Sequence, residues 1–225
     1  MEAMAQTQLP DDPTLDEVRM ALAPLVARNA AFDGWSKAAV EMAAQQAGVT
    51  PEIAKLAFDG GAMAMIDAWF AHIDDAMLSA CPPDKLAQLK IRGKIAALVE
   101  ARLDALAADS EALHRALPIL AMPHNIALAA KLGWRAADLM WRAAGDDATD
   151  YNHYTKRMLL AGIYSATLMA FINDESENHS DTRAFLARRI EDVMRFERGK
   201  ARFAARREHR PSLARFVGRL RYHAR

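Results

Sequence analysis

Gly48-Val-Thr-Pro51-Glu-Ile-Ala-Lys-Leu-Ala-Phe58 is the stretch on which the reading of the fold turns. Glycine ends a helix at little cost because it adopts positive φ without a Cβ clash. Proline opens a helix because a first turn leaves that N–H unbonded anyway. The stretch therefore reads as a tight turn followed by a short helix over Pro51–Phe58. Upstream, apolar residues at helical spacing predict helices over Leu15–Asn29 and Lys37–Gln46, and downstream Gly60-Gly61 precedes a longer one over Ala62–Ala80. Three short helices and a long one thus open the chain.

The same periodicity continues to the end. It predicts helices over Pro83–Ala107, Glu111–Met122, Ile126–Ala144, Tyr151–Ile172, Thr182–Arg198 and Ser212–Tyr222, with breaks at Pro82-Pro83, Pro123, Gly145 and Gly199. No alternating strand pattern competes with it. In a chain of 225 residues and 52% hydrophobic composition, the predominance of Ala, Leu and Met over Val and Ile favours helix throughout. The expected class is all-α. The expected organisation is a lead, taken as disordered, over 1–14, a helix-turn-helix-like region over 15–75, a helical domain over 76–198 and a basic amphipathic tail over 199–225.

Charge separates that tail from the rest. The net formal charge is zero, but residues 195–225 carry 11 Lys/Arg against 2 Asp/Glu, so the tail is +9 and the remainder −9. Leu213, Phe216, Val217 and Leu220 fall at i, i+3, i+4 and i+7, flanked by Arg215 and Arg219, with Pro211 placed to open the helix. Burying such a face is worth roughly 1.5–3 kcal/mol per large side chain, and each basic group near an anionic surface adds about 1 kcal/mol. These six residues are the expected contact with an anionic membrane surface. The longest uncharged apolar run, Met158 to Ile172, is short of the ~20 residues that span a bilayer. The single cysteine, Cys81, excludes an internal disulfide, and the first thirteen residues lack the marks of a secretory signal or a transit peptide. The expected location is the cytoplasm, peripherally on the inner membrane.

Three segments carry a resemblance. Ala116-Leu-Pro118-Ile-Leu-Ala-Met-Pro123-His-Asn125 sets two prolines in an apolar run. Gly145-Asp-Asp-Ala-Thr-Asp-Tyr-Asn-His-Tyr-Thr-Lys-Arg157 packs acids, an amide and tyrosines before a helix, and residues 173–194 close the set. Over residues 110–195 these resemble the C-terminal domain of the ubiquinone-biosynthesis accessory lipid-binding family, whose members work beside demethoxyubiquinone hydroxylase. The resemblance implies a non-enzymatic carrier with no cofactor of its own, an isoprenoid or phospholipid ligand such as a polyprenyl quinone intermediate, and the hydroxylase as partner. It implies that Leu117, Leu120, Met122, Leu128, Leu132, Leu139, Met140, Ile163, Tyr164, Leu168 and Phe171 include the lipid-binding set, although periodicity alone makes each equally fit for core. It further implies a partner-binding patch at Asp150, Asn152, His153, Tyr154 and Arg157. His153 departs from the pattern, since the animal branch carries tryptophan there.

The N-terminal helices resemble those of a TetR-type regulator, which implies a helical bundle with a vestigial helix-turn-helix and a homodimer, to which the spacing of the tail adds a C-terminal amphipathic helix. The third helix, Pro51–Phe58, offers only Glu52 as a side chain able to read a base edge, and the first 75 residues carry 4 Lys/Arg against 12 Asp/Glu, a balance that repels DNA. No nucleic-acid partner is therefore expected; the alternative, a TetR-type lipid-sensing regulator, would reveal itself in a low-salt gel shift. A di-iron site requires two Glu-x-x-His motifs and this chain has one, Glu111 to His114, while His179 lies in an acidic run that reads as a solvated loop with a Ser180/Asp181 cap. No catalytic or metal residue is assigned.

Overall fold

The computed structural model describes residue 10 and residues 12–146 and 151–208, and every regular element among them is helical. In order these are α1 (Leu15–Asp33), α2 (Lys37–Ala47), α3 (Pro51–Ala57), α4 (Gly61–Ala80), α5 (Pro83–Ala87), α6 (Ile91–Ala107), α7 (Ser110–Leu120), α8 (Ile126–Ala143), α9 (Tyr151–Phe171) and α10 (Ser180–Glu208). Local chemistry sets their ends. Thr14 and Glu17 form a reciprocal capping box at the start of α1. Gly48 takes the left-handed conformation at φ 68° and closes α2, as the sequence predicts.

Two expected helices are redrawn. The single helix expected over Pro83–Ala107 is broken at residues 88–90 into α5 and α6. Leu86 and Ile95 are both buried, yet nine residues of continuous helix would turn them about 180° apart; the break lets both face the core. The break expected at Gly199 is absent, since α10 continues to Glu208. One helical glycine costs only about 1 kcal/mol, which its helix-forming neighbours Lys200, Ala201 and Arg202 offset. The cap expected from Ser180 and Asp181 is supplied earlier. Asp174 accepts from the Thr182 backbone N–H at 2.8 Å and its hydroxyl at 2.6 Å, and the Ser176 hydroxyl accepts from Asp181 N–H at 3.1 Å. Hydrogen bonds from Ser176 and then Thr182 hold the Asp174 carboxyl well below the usual carboxylate range.

Helices α1 to α4 pack around Trp35 and Trp69, whose rings lie 5.3 Å apart, and Trp35 Nε1 donates to Ala112 O at 3.1 Å, tying this unit to α7. The centre of the larger bundle is ionic. Arg102 of α6, 1% exposed, pairs with Asp74 of α4 and donates to the Tyr164 hydroxyl of α9 at 2.8 Å. Its guanidinium also lies 5.3 Å from the Tyr164 ring centroid and 5.6 Å from that of Phe70. Arg135 of α8 reaches Asp74 at 3.5 Å and pairs with Asp67. Four helices therefore converge on one buried charge.

Helix α10 runs antiparallel to α6. Arg183 bonds Asp104 at 2.6 Å near the end of α6, and Glu191 meets Arg92 at 3.8 Å in its first turn. Past Val193, α10 continues beyond that turn by fifteen residues, about 22 Å of helix.

Removing one member of a buried pair strands a charge at a cost of about 3–5 kcal/mol, whereas replacing both with apolar groups is often neutral. We expect Asp74→Ala to lower the denaturant midpoint sharply, and Asp74→Leu with Arg102→Met to regain most of it. Equilibrium unfolding followed by circular dichroism checks this; a single variant as stable as wild type contradicts it.

Candidate functional site

Where α10 leaves the bundle, α6, α8 and α9 do not close on one another. Between them lies a cavity of about 380 Å³. Its walls are Ile91 and Ile95 of α6, Trp141 of α8, Leu159, Leu160 and Ile163 of α9, and Ile190 and Val193 of α10. The spacing explains the geometry: Ile91/Ile95, Leu159/Ile163 and Ile190/Val193 are i,i+3 or i,i+4 pairs, so each helix turns one apolar stripe inward. Thr155, Leu159 and Ile163 also border a shallower trough on the outer face of α9, with Tyr154, Met158 and Gly162 along it and Arg189 of α10 at its side.

The polar rim is organised by Asp146. Its carboxylate accepts from Lys156 Nζ at 2.6 Å and from Arg157 at 3.2 Å. Lys156 also lies 5.4 Å from the Trp141 ring centroid, and the indole N–H donates to Lys156 O at 3.0 Å. Burial alone would push the Asp146 carboxyl up; the hydrogen bonds and positive charges of Lys156 and Arg157 outweigh it and hold the group below its ordinary value. Lys94 donates to Ala144 O at 3.1 Å, so the C-terminal end of α8 is fastened to α6. The result is an apolar chamber with an ion-paired mouth, a shape that can hold a hydrocarbon chain and that, among the described residues, offers no nucleophile–base pair. Among the described residues no three His, Cys, Asp or Glu side chains are grouped to hold a metal ion.

Of the expected lipid-binding residues, Ile163 lines the cavity and the outer trough, and Leu120 borders a separate shallow trough with Ile126, Gly133 and Gly162. Leu132, Met140, Tyr164, Leu168 and Phe171 are buried in the packed core, and Leu117 and Leu139 pack against it half-buried. Met122 and Leu128 are exposed. The cavity instead draws on Ile91, Ile95, Leu160, Ile190 and Val193, which the sequence reading left as ordinary helix positions. The i,i+4 and i,i+3 pairs on α6 and α10 were the available signal, but nothing in one helix reports which other helix it will face.

The expected partner patch is divided. Tyr154 is 59% exposed and His153 half-buried beside it, their ring centroids 5.1 Å apart. Arg157 is not on the surface, contrary to expectation: it is 1% exposed, paired with Asp138 and Asp146, because a guanidinium in the second turn of α9 faces inward and finds two carboxylates there. Asp150, the Asn152 side chain and the tail residues Leu213, Arg215, Phe216, Val217, Arg219 and Leu220 lie outside the described residues.

Residues 126–197 match the protein-family model described as COQ9. Over 167 residues the chain is 32% identical to "Ubiquinone biosynthesis protein COQ9, mitochondrial" of Bos taurus, covering 72% of this chain and 52% of that protein. Over 96 residues it is 44% identical to the Homo sapiens protein of the same name, covering 43% and 30%. The chain thus spans about half the length, or less, of these curated relatives. Among solved structures it resembles the TetR transcriptional regulator from Nitrosomonas europaea ATCC 19718, with a TM-score of 0.62 and 26% identity over 77% of this chain and 96% of that one. The fold is all-α and TetR-like, as the N-terminal helices imply. The matched span 126–197 contains α8, α9 and the part of α10 that walls the cavity.

The Asp146 cluster has a pH signature. Because its carboxyl is depressed in the folded protein, its contribution to stability is present above the ordinary carboxylate pKa and is lost as pH falls through the lower folded value. Asp146→Asn should therefore melt below wild type at neutral pH, and the gap should narrow below about pH 4. Melting curves of both proteins from pH 7 downward check this; a gap that does not change with pH contradicts it.

Proposed function

We propose, taking the chain as a relative of the COQ9 proteins, that it is a non-enzymatic lipid-binding accessory protein of ubiquinone biosynthesis. It shelters the chain of a polyprenylated quinone intermediate and presents its head to a membrane-associated hydroxylase. The observation that carries this reading is the position of the apolar cavity, at the end of the bundle from which α10 runs on toward the basic tail. A polyprenyl chain is nearly insoluble in water, so an apolar chamber lowers the cost of drawing it out of a bilayer. Among the described residues no helix is long and apolar enough to cross a membrane, which supports peripheral attachment through that tail.

The partner surface is assigned to Tyr154 with His153, next to the outer trough. The homodimer contact is assigned to the face of α8 and α9 where Ile126 and Met169 are exposed around Gly133 and Gly162. The likeness to a transcriptional regulator favours a second reading, a lipid-sensing regulator. Against it, α3 turns Glu52, Ile53, Lys55 and Leu56 outward, a surface with one cation and two aliphatic side chains where a DNA reader needs donors and positive charge.

Two outcomes are expected. Extraction and mass spectrometry of purified protein should find isoprenoid lipid, with occupancy reduced severalfold or more in Ile163→Trp while its circular dichroism is unchanged. Truncation after Glu208, or Phe216→Glu with Leu220→Glu, should abolish flotation with anionic vesicles while leaving the fold intact. Absence of lipid from wild type counts against the carrier, and wild type that ignores vesicles counts against the tail.

A further inference from the structure

The turn between α5 and α6 forms a corner at the end of the bundle where the cavity opens. From Pro82 to Arg92 only Leu86 is buried, so a single leucine anchors the segment. Leu89 and Ile91 are 39% and 43% exposed, and Lys85, Lys90 and Arg92 are exposed around them. Leu89 is held in place: its N–H donates to Leu86 O at 3.0 Å, and its side chain rests on the first turn of α6, where a Cβ at Gly93 would stand 3.5 Å from its own. Ile91 and Arg92 also wall the cavity, so the corner and the mouth are continuous.

The charge around the corner is lopsided. Residues 82–94 carry four Lys/Arg and one Asp. The two other stretches at this end, residues 142–157 between α8 and α9 and residues 188–198 of α10, carry three Lys/Arg against three acids and four against three. The positive excess of this end therefore sits on the corner. The far end is the reverse, since residues 1–75 carry 4 Lys/Arg against 12 Asp/Glu. A molecule so polarised turns the corner toward an anionic surface. Aliphatic side chains set among lysines suit such a surface, because they enter the acyl boundary while the ammonium groups stay at the head groups. A protein partner is the poorer fit: protein interfaces are enriched in aromatic groups and depleted of lysine, and residues 82–94 have three lysines and no aromatic side chain.

We infer that the α5–α6 corner is a second contact with an anionic membrane, Leu89 and Ile91 entering the bilayer surface while Lys85, Lys90 and Arg92 meet its acidic head groups. This rests on the proposed peripheral attachment and gives it an orientation. The tail holds the molecule at the surface, where the corner acts at high effective concentration and seats the mouth of the cavity against the lipid.

The test uses full-length protein with Cys81→Ala and one new cysteine, Leu89→Cys or, at the far end, Phe32→Cys, where the native phenylalanine is 83% exposed. Each carries a nitrobenzoxadiazole label. On vesicles of phosphatidylcholine with phosphatidylglycerol, the label at position 89 should shift to the blue and be shielded from acrylamide, and the label at position 32 should do neither. Vesicles of phosphatidylcholine alone should leave both unchanged. Unlabelled Lys85→Glu/Lys90→Glu should need on the order of tenfold more anionic lipid for half-maximal flotation, with circular dichroism and co-purified lipid unchanged. A label at position 89 that stays in water while the protein floats overturns the inference and leaves attachment through the tail standing. Wild type that ignores anionic vesicles overturns both. A blue shift at position 89 produced without vesicles, by the hydroxylase or by raising the protein concentration, makes the corner a protein interface and also overturns the inference.

Discussion

A guanidinium cannot sit in an apolar core without a carboxylate, and Arg102 satisfies that constraint by drawing four helices to one point. Asp74 brings α4, Tyr164 brings α9, and Arg135 brings α8 to the same carboxylate. At that level the bundle is pinned. Three turns away along α6, at Ile91, no comparable buried ion pair among the described residues joins α6 to α9, and there the helices stand apart around the cavity. The same ion network thus fixes the architecture and determines where it is hollow.

The hollow end also carries the features that bear on function. Asp146 clamps Lys156 and Arg157 at the mouth, and α10 passes the mouth on its way to the basic tail. Cys81 at the end of α4 lies 3.6 Å from Ala97 O of α6, and Asp74 meets Arg102 further on, so α4 and α6 run antiparallel. The α3 helix precedes the opposite end of α4, which places the helix-turn-helix-like surface about 30 Å of helix away from the cavity. In the proposed reading, the end that meets the membrane is the end that opens.

Much of the fold was legible because helix periodicity, Gly48, Pro51 and Pro123 act locally. Each marks a boundary through its own backbone preference, with no reference to distant residues. The split between α5 and α6 was not legible, since it answers the demand that Leu86 and Ile95 face one core. The site was harder to read for the same reason. Tyr164, Met140 and Leu168 have the composition of a lipid pocket but are buried in the packed core, while Ile91, Ile95, Ile190 and Val193 become cavity walls only because α6 and α10 meet across a gap. Arg157 illustrates the limit of motif reading: expected on the surface, it turns inward, because Asp138 sits on another helix.

The central claim is that the chamber bounded by α6, α8, α9 and α10 holds the hydrocarbon chain of a lipid. The most direct measurement is photolabelling of the intact protein, bound to anionic vesicles, with a polyisoprenoid carrying a diazirine near the middle of its chain, followed by peptide mapping of the adducts. The account predicts labelling concentrated at Ile95, Leu159, Ile163 and Val193 and suppressed by unlabelled isoprenoid. Labelling confined to the tail or to the exposed face of α3, with those four residues unmodified, would contradict it.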